Sequence, residues 1–180
     1  GVRGVVGAVL LVVGVASILV LVPTSRERML LGVQEVKSYD QATEVTSMGI
    51  RMIFWKNTLE MIREQPMIGY GTGAFGTAYD RKIEGRTGVA ATPAGDPHNQ
   101  YMKITAENGL VALLVFFGSL VAAARQRCAA PYRILGLCVL ASWCATSLFN
   151  SHFSTFNEGN FIYAWLGIML APPVASAESV

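Results

Sequence analysis

Charge is scarce in this chain. Asp, Glu, Lys and Arg make up 14% of its 180 residues and hydrophobic residues 52%, whereas ordinary soluble domains carry roughly 25% charge. That balance excludes a conventional water-soluble domain. The net charge of +2 is too small for a nucleic-acid-binding surface, and no basic patch interleaves with aromatic residues. Cysteine is scarce as well. Cys128, Cys138 and Cys144 are odd in number and lack metal-ligand spacing, so neither a disulfide framework nor a zinc site is expected. Cys138 and Cys144 lie in an apolar run, where a thiol acts as a small hydrophobe. Histidine occurs only at His98 and His152, and no paired imidazole ligands or Ser/His/Asp set accompany either one.

The charge that is present is concentrated. Residues Pro23 to Asn108 hold ten of the fourteen Lys and Arg and ten of the twelve Asp and Glu. Apolar segments flank them, the pattern of membrane spans around one large aqueous loop. Gly4 to Val22 is uncharged over 19 residues. At 1.5 Å per residue it reaches about 28 Å, close to the hydrocarbon thickness of a bilayer. No clean small-residue cleavage site follows, so a span is expected there in preference to a signal peptide. Asn108 to Ala124, Ile134 to Ser151 and Gly159 to Val174 are the further spans, each helical because unpaired backbone groups are too costly in lipid. The chain opens with its first span already under way, as expected of a C-terminal piece of a longer membrane protein. Arg3, and Arg125, Arg127 and Arg133 in the connection at 125–133, put both of those regions on the cytoplasmic side. An even number of crossings separates them, so the assignments agree. Residues 23–108 and the turn Asn150 to Glu158 are then outside, and the tail at 176–180 is cytoplasmic. Trp143 and Trp165 lie too deep in their spans for an interfacial belt and are expected to pack between helices. The expected fold is all-α: a polytopic α-helical membrane-protein fragment with about four transmembrane helices, 1–22 and three within 109–175, and one large outer helical and loop segment, 23–108.

In the outer segment a short helix is expected around Glu27 to Val36. A stronger one covers Ser47 to Glu64, where Ser47 can cap and Met48, Met52, Trp55, Leu59 and Ile62 recur at helical spacing. Arg51 and Trp55 stand i, i+4 and share a face. Pro66 ends this helix, which reads as amphipathic, lying on the membrane surface or on the other spans. Gly71-x-Gly73-x-x-Gly76 then matches the dinucleotide fingerprint by letter. That fingerprint requires a strand before it and a βαβ unit around it, whereas here a helix and a proline precede it. The glycines read instead as a tight turn that lets backbone approach closely. Asp80 to Pro97 is a charged loop expected to be mobile. Its Arg81, Lys82 and Arg86 are either solvated decoration or contacts to an anionic substrate.

The loop ends at Asp96-Pro97-His98-Asn99, followed by Glu107-Asn108-Gly109 where the second span begins. A neutral imidazole there can act as a general base near pH 7, or the histidine is only an interfacial polar residue. His152, in Phe149-Asn150-Ser151-His152-Phe153 on the same outer side and close in sequence to Glu158, is the rival. It lines the same cavity or caps the third span.

In order, spacing and topology these residues resemble the C-terminal part of the O-antigen ligase family, which shares a domain with O-antigen polymerases and protein O-oligosaccharyltransferases. The features that carry the resemblance are Arg51 and Trp55 on an outer helix, Pro66-Met67-Ile68-Gly69-Tyr70-Gly71, His98-Asn99, and Glu107-Asn108-Gly109 opening the next span. The resemblance covers about residues 45 to 125 well and the flanking spans loosely. The ligase pattern of His-Asn/Ser/Gln, nine residues, Gly, two residues, then Gly/Thr/Tyr fits His98-Asn99 and Gly109 but meets Ala112 at its last position. Phe149 to Tyr163 also looks ligase-like.

The resemblance implies an enzyme of the bacterial inner membrane with its site on the periplasmic face. It would move an O-antigen glycan from undecaprenyl pyrophosphate to a sugar hydroxyl of lipid A–core, in lipopolysaccharide biosynthesis. His98 would accept the proton of the attacking hydroxyl. Arg51 would hold the pyrophosphate, whose oxygens suit a planar, permanently charged fork. Asn99, Arg81, Arg86 and His152 would contact pyrophosphate or glycan, and Trp55, Pro66, Gly69, Gly71, Glu107 and Gly109 would form the structural motif. The resemblance implies no cofactor, metal or nucleotide sugar, and the chain offers no Asp-x-Asp metal site. The partners implied are the lipid-linked donor, lipid A–core and membrane lipid, with further pyrophosphate-binding arginines in earlier spans. Two alternatives stand beside this reading. One is an O-antigen polymerase or a protein O-oligosaccharyltransferase, with the same donor and base. The other is a glycan-binding transporter or flippase-like membrane protein, although a transporter should place polar residues along its spans, and these are nearly free of ionisable groups.

Overall fold

The computed structural model describes residues 17, 21–38, 46–126, 128–169 and 171. Among the described residues all regular structure is helical: α1 (Pro23–Ser38), α2 (Ser47–Glu64), α3 (Phe75–Ile83), α4 (Gln100–Ala124), α5 (Ala130–Thr146) and α6 (Phe156–Met169), with a 3-10 turn at Gly88–Ala91. The chain divides into two units, Gly1–Met52 and Ile53–Val180.

In the first unit α1 begins at a proline, whose fixed φ suits a first helical turn, and it extends the helix expected at Glu27 to Val36 in both directions. The expected span Gly4 to Val22 lies outside the described residues except at Ser17, Leu21 and Val22. The cap of α2 is Thr46 and not Ser47. Thr46 Oγ1 accepts the Gly49 N–H at 3.1 Å, satisfying one of the unpaired donors of the first turn.

In the second unit, α2 buries Ile53, Phe54, Asn57, Thr58 and Met61, while Leu59 stays exposed. The buried stripe is therefore rotated from the one expected from Trp55, Leu59 and Ile62. The partner helix α3 sets it. Tyr79 meets Phe54 edge-on with centroids 5.9 Å apart and stacks on Phe75 at 5.6 Å. Asn57 and Thr58 tolerate burial because their polar atoms are satisfied: Asn57 Nδ2 donates to Tyr79 OH at 2.7 Å, and Thr58 Oγ1 to Phe54 O at 2.6 Å.

The segment expected to be a mobile loop is tethered. Asp80 to Ile83 completes α3. Lys82 Nζ bonds Glu64 and lies 3.3 Å from Glu60 Oε2. Arg86 donates to Glu60 Oε2 at 2.7 Å and to Asn57 Oδ1 at 2.6 Å.

The glycine-rich turn after α2 and the start of the apolar helix form one interlock. α4 is broken at Gly109, whose φ of 75° and ψ of 179° are not helical. Across that break Tyr70 N–H donates to Ala106 O at 2.9 Å, Gly71 N–H to Glu107 O at 2.7 Å, and Leu110 N–H to Pro66 O at 2.8 Å. Backbone meets backbone so closely that side chains are excluded. A Cβ on Gly69 would sit 2.5 Å from Glu107 C, and one on Gly109 would sit 2.0 Å from Met67 O.

Beyond Gly109, α4 packs with α5 and α6 around Leu140, Phe153, Ile162 and Leu166. Phe116 meets Phe153 edge-on at 5.1 Å. Trp143 of α5 packs against Phe161 of α6 at 5.7 Å, between helices as expected, whereas Trp165 stacks at 5.8 Å on Phe161 one turn earlier in its own helix. Leu114, Val115, Ile134 and Ile168 remain more than half exposed, an apolar surface of the kind that lipid or a partner covers. One described helix, Gln100–Ala124, is long and apolar enough to cross a membrane. α5, with 17 residues, and α6, with 14, are shorter. The 147–155 turn begins earlier than expected, inside the predicted third span of Ile134 to Ser151.

Candidate active site

His98 stands at the point where the tethered segment turns into α4. Its φ is 53°, and it is the one non-glycine residue with positive φ among those described. That conformation costs about 1–3 kcal/mol for a non-glycine residue and concentrates at functional sites, although histidine enters it more readily than most. The surroundings enforce it. Asp96 Oδ1 accepts the His98 N–H at 2.7 Å, and Trp55 Nε1 donates to the Pro97 carbonyl at 2.9 Å. The Phe54 ring stacks on the imidazole with centroids 6.3 Å apart and planes 25° from parallel. Two successive residues of α2 thus grip the loop on either side of the histidine. The half-buried imidazole makes no hydrogen bond among the described residues, so the ring nitrogen that carries no hydrogen is available to a substrate proton.

The outer turn at 147–155 is docked onto the same corner. Gln100 is buried, and its Oε1 accepts Phe153 N–H at 2.9 Å and Ser154 N–H at 3.1 Å. Gln100 N–H reaches Ser147 O at 2.9 Å, and Tyr101 OH donates to Cys144 O at 2.7 Å. Asp96 is the hub. Besides His98 N–H, its Oδ1 accepts Ser151 Oγ at 2.7 Å, and its Oδ2 accepts Lys103 Nζ at 2.7 Å. The two connections expected on one side of the membrane are therefore hydrogen-bonded to each other.

The sequence profile described as O-Antigen ligase matches residues 2–117. The chain belongs to the O-antigen ligase family. Members of this family are membrane proteins with glycosyltransferase-like activity on lipid-linked glycans. An uncharacterized protein of Haemophilus influenzae is 30% identical over 70 residues, which is 38% of this chain. The chain matches only 18% of that protein's length.

The family match covers every motif from Arg51 to Gly109 and stops short of His152. Pro66, Gly69, Gly71, Glu107 and Gly109 all enter the interlock through their backbones. Trp55 braces the His98 loop and lies 6.1 Å from Phe149 of the outer turn. Asn99 has a structural use. Its Oδ1 caps α4 by accepting Tyr101 N–H at 3.1 Å and Met102 N–H at 3.0 Å, and its Nδ2 donates to Leu148 O at 3.0 Å, so its amide is already committed. Arg51, on α2 within the first unit, is part-exposed and has no ion pair among the described residues.

Arg86 is not free for an anion, since Glu60 and Asn57 hold it. Arg81 is exposed and lines a cavity of about 300 Å³ with Glu64, Tyr70, Ala78 and Lys82. Around this cavity Glu60 and Glu64 pair with Lys82 and Arg86, and Arg81 has no ion pair among the described residues. Glu60 is held below the usual carboxylate range, first by the Arg86 hydrogen bond, and Glu64 likewise, first by Lys82 and then by Tyr70. Lys82 is raised, first by Glu64. Burial, and then Glu64, push the Tyr70 hydroxyl up to about 12, so it remains a donor at any physiological pH.

His152 has partners of its own. Its Nδ1 lies 2.7 Å from Glu158 Oε2, and its ring packs 5.9 Å from Trp143. It lines a cavity of about 270 Å³ with Ser142, Trp143, Thr146 and Glu158, and His98 is not in that lining. Among the described residues no group of three or more His, Cys, Asp or Glu could hold a metal ion. Asp96 was not among the expected site residues, although it holds the His98 N–H. The available signal was its spacing: an Asp two residues before the histidine can accept that residue's backbone N–H as an Asx turn.

Proposed function

We propose that the chain carries the catalytic segment of an O-antigen ligase-type glycosyltransferase, which moves an O-antigen glycan from undecaprenyl pyrophosphate to lipid A–core at the periplasmic face of the inner membrane. The observation that carries the reading is His98, a histidine held at positive φ with an uncommitted imidazole, immediately before the one described helix long and apolar enough to cross a membrane. In the proposed reaction a ring nitrogen of His98 takes the proton of an acceptor sugar hydroxyl. The hydroxyl oxygen forms a bond to the anomeric carbon, the bond from that carbon to the phosphate oxygen breaks, and undecaprenyl pyrophosphate leaves with the electron pair. A positioned base contributes about 10²–10⁴-fold to such a step. Arg51 has the proposed role of binding the pyrophosphate, supported by its lack of an ion pair among the described residues and by the chemistry of the guanidinium fork. The family resemblance, taken with the free guanidinium of Arg81 and the His152–Glu158 cavity, makes both residues candidate glycan contacts. Four transmembrane helices, with residues 23–108 outside, complete the proposal.

Ala112 departs from the ligase pattern, and it favours keeping an O-antigen polymerase as the second reading. Complementation of a ligase-deficient strain with the full-length gene separates the two. Wild type is expected to restore capped lipopolysaccharide on a gel, and His98→Asn and Arg51→Ala to fail. Altered polymer length without capping would establish the polymerase instead. Capping restored by the His98 variant would remove the base assignment.

A further inference from the structure

We propose that Asp96 is the positioning residue of this site, a carboxylate that sets the conformation of His98 and ties it to the outer turn. The proposal rests on His98 being the base. One oxygen, Oδ1, receives both the His98 backbone N–H and the Ser151 hydroxyl at 2.7 Å each, while Oδ2 receives Lys103 Nζ at 2.7 Å. Hydrogen bonds to an ionised acceptor are the strong ones, and this carboxylate is only a quarter exposed. Pro97 follows directly and disfavours the helical region for Asp96, so the carboxylate reaches forward across the proline to the very residue that stands at positive φ. Lys103, on the first turn of α4, balances the charge without touching His98. Ser151, on the turn at 147–155, anchors the carboxylate from the other side. Thus of the three bonds only one acts on the histidine backbone. Lys103 and Ser151 are controls for general stapling of the fold.

The test uses purified full-length protein in nanodiscs, assayed for transfer from a lipid-linked glycan donor, with kcat and donor KM read separately. Asp96→Asn keeps a neutral oxygen for the His98 N–H and is expected within about fivefold of wild type. Asp96→Glu keeps the charge toward Lys103 but moves the acceptor by roughly 1 Å. Its kcat should fall about 10–100-fold with KM unchanged, the scale expected of a misplaced catalytic group. Asp96→Ala should fall at least as far. Lys103→Met and Ser151→Ala should each stay near wild type. Wild-type kcat in both Asp96→Glu and Asp96→Ala would overturn the proposal. So would a fall in Lys103→Met equal to that in Asp96→Glu, which would make Asp96 a staple. If Asp96→Ala does not fold, Asp96→Glu against Asp96→Asn still decides. Activity retained in His98→Asn would instead bring down the base reading itself, whatever the Asp96 variants do.

Discussion

A histidine at φ 53° is a stronger pointer to chemistry than a histidine in a loop, because the fold sustains a conformation that most side chains avoid. The choice of test variant follows from this. Asparagine also enters the left-handed region readily, so His98→Asn removes the imidazole without adding backbone strain. It should lose about 10²–10⁴-fold in transfer rate while its melting temperature in detergent stays within a few degrees of wild type. A matching drop in melting temperature would assign the histidine to the fold. Arg51 offers a second comparison. Arg51→Lys keeps the charge and loses the planar fork, so donor KM should rise while the charge-neutral Arg51→Gln raises it further. A wild-type donor KM in Arg51→Lys would exclude bidentate phosphate binding.

At the scale of elements, the glycine turn and the break in α4 act as one joint. Gly69 and Gly109 face backbone at distances no Cβ can occupy, while Gly73, with φ 75°, has open space around it. Gly73→Ala should therefore cost only the backbone strain of about 1–3 kcal/mol. Gly69→Ala and Gly109→Ala add a backbone clash and should abolish folded protein, as read by monodisperse yield in detergent. The contact of α2 with α3 predicts a pH dependence. Glu60 and Glu64 have depressed pKa values, so they stabilise the fold above the unfolded carboxylate value of about 4.3 and lose that contribution as pH falls through their lowered values. The pKa of Lys82 is raised, so its contribution is complete below the ordinary lysine value, about 10.4, and is lost as pH rises beyond it. Hydrogen exchange over residues 75–86 should be flat between about pH 5 and 10, after correction for intrinsic rates, and accelerate below about 4. Both glutamates are partly exposed, so salt should weaken the effect. Protection that persists unchanged at pH 3 would exclude an electrostatic tether.

At the scale of the whole molecule, the hydrogen bonds from Asp96 and Gln100 to residues 147–155 require those two regions to share a side of the membrane. The proposed topology puts that side outside and the basic connection near Arg125 inside. With the three native cysteines replaced by serine, Arg81→Cys should react with a membrane-impermeant maleimide in intact spheroplasts, and Gln126→Cys only after permeabilisation. The reverse pattern would invert the topology, and labelling of both positions in intact spheroplasts would contradict the crossing by α4.

Composition alone led to an all-helical chain with a polar segment between apolar ones, because charge cannot be hidden in lipid and an apolar run of about 20 residues has few other uses. The order Arg51, Trp55, Pro66, Gly69, Gly71, His98 and Gly109 was sufficient for the family. The start of α4 was not legible: the apolar run pointed to Asn108, whereas the helix begins at Gln100 behind its Asn99 cap and is interrupted at Gly109. What only the tertiary structure decided were the contacts made across long stretches of sequence. The face α2 buries depends on Tyr79. The tethering of residues 80–97 depends on Glu60 and Glu64 lying opposite Lys82 and Arg86. Arg86 is held by Glu60 and Asn57, distant in sequence, whereas Asn99 Oδ1 is held by the first turn of its own helix and only its Nδ2 by a distant partner, Leu148 O. The joining of Asp96 to Ser151 likewise links residues far apart in sequence. Periodicity reports which residues share a face of one helix, but which groups satisfy one another is settled only when the helices pack.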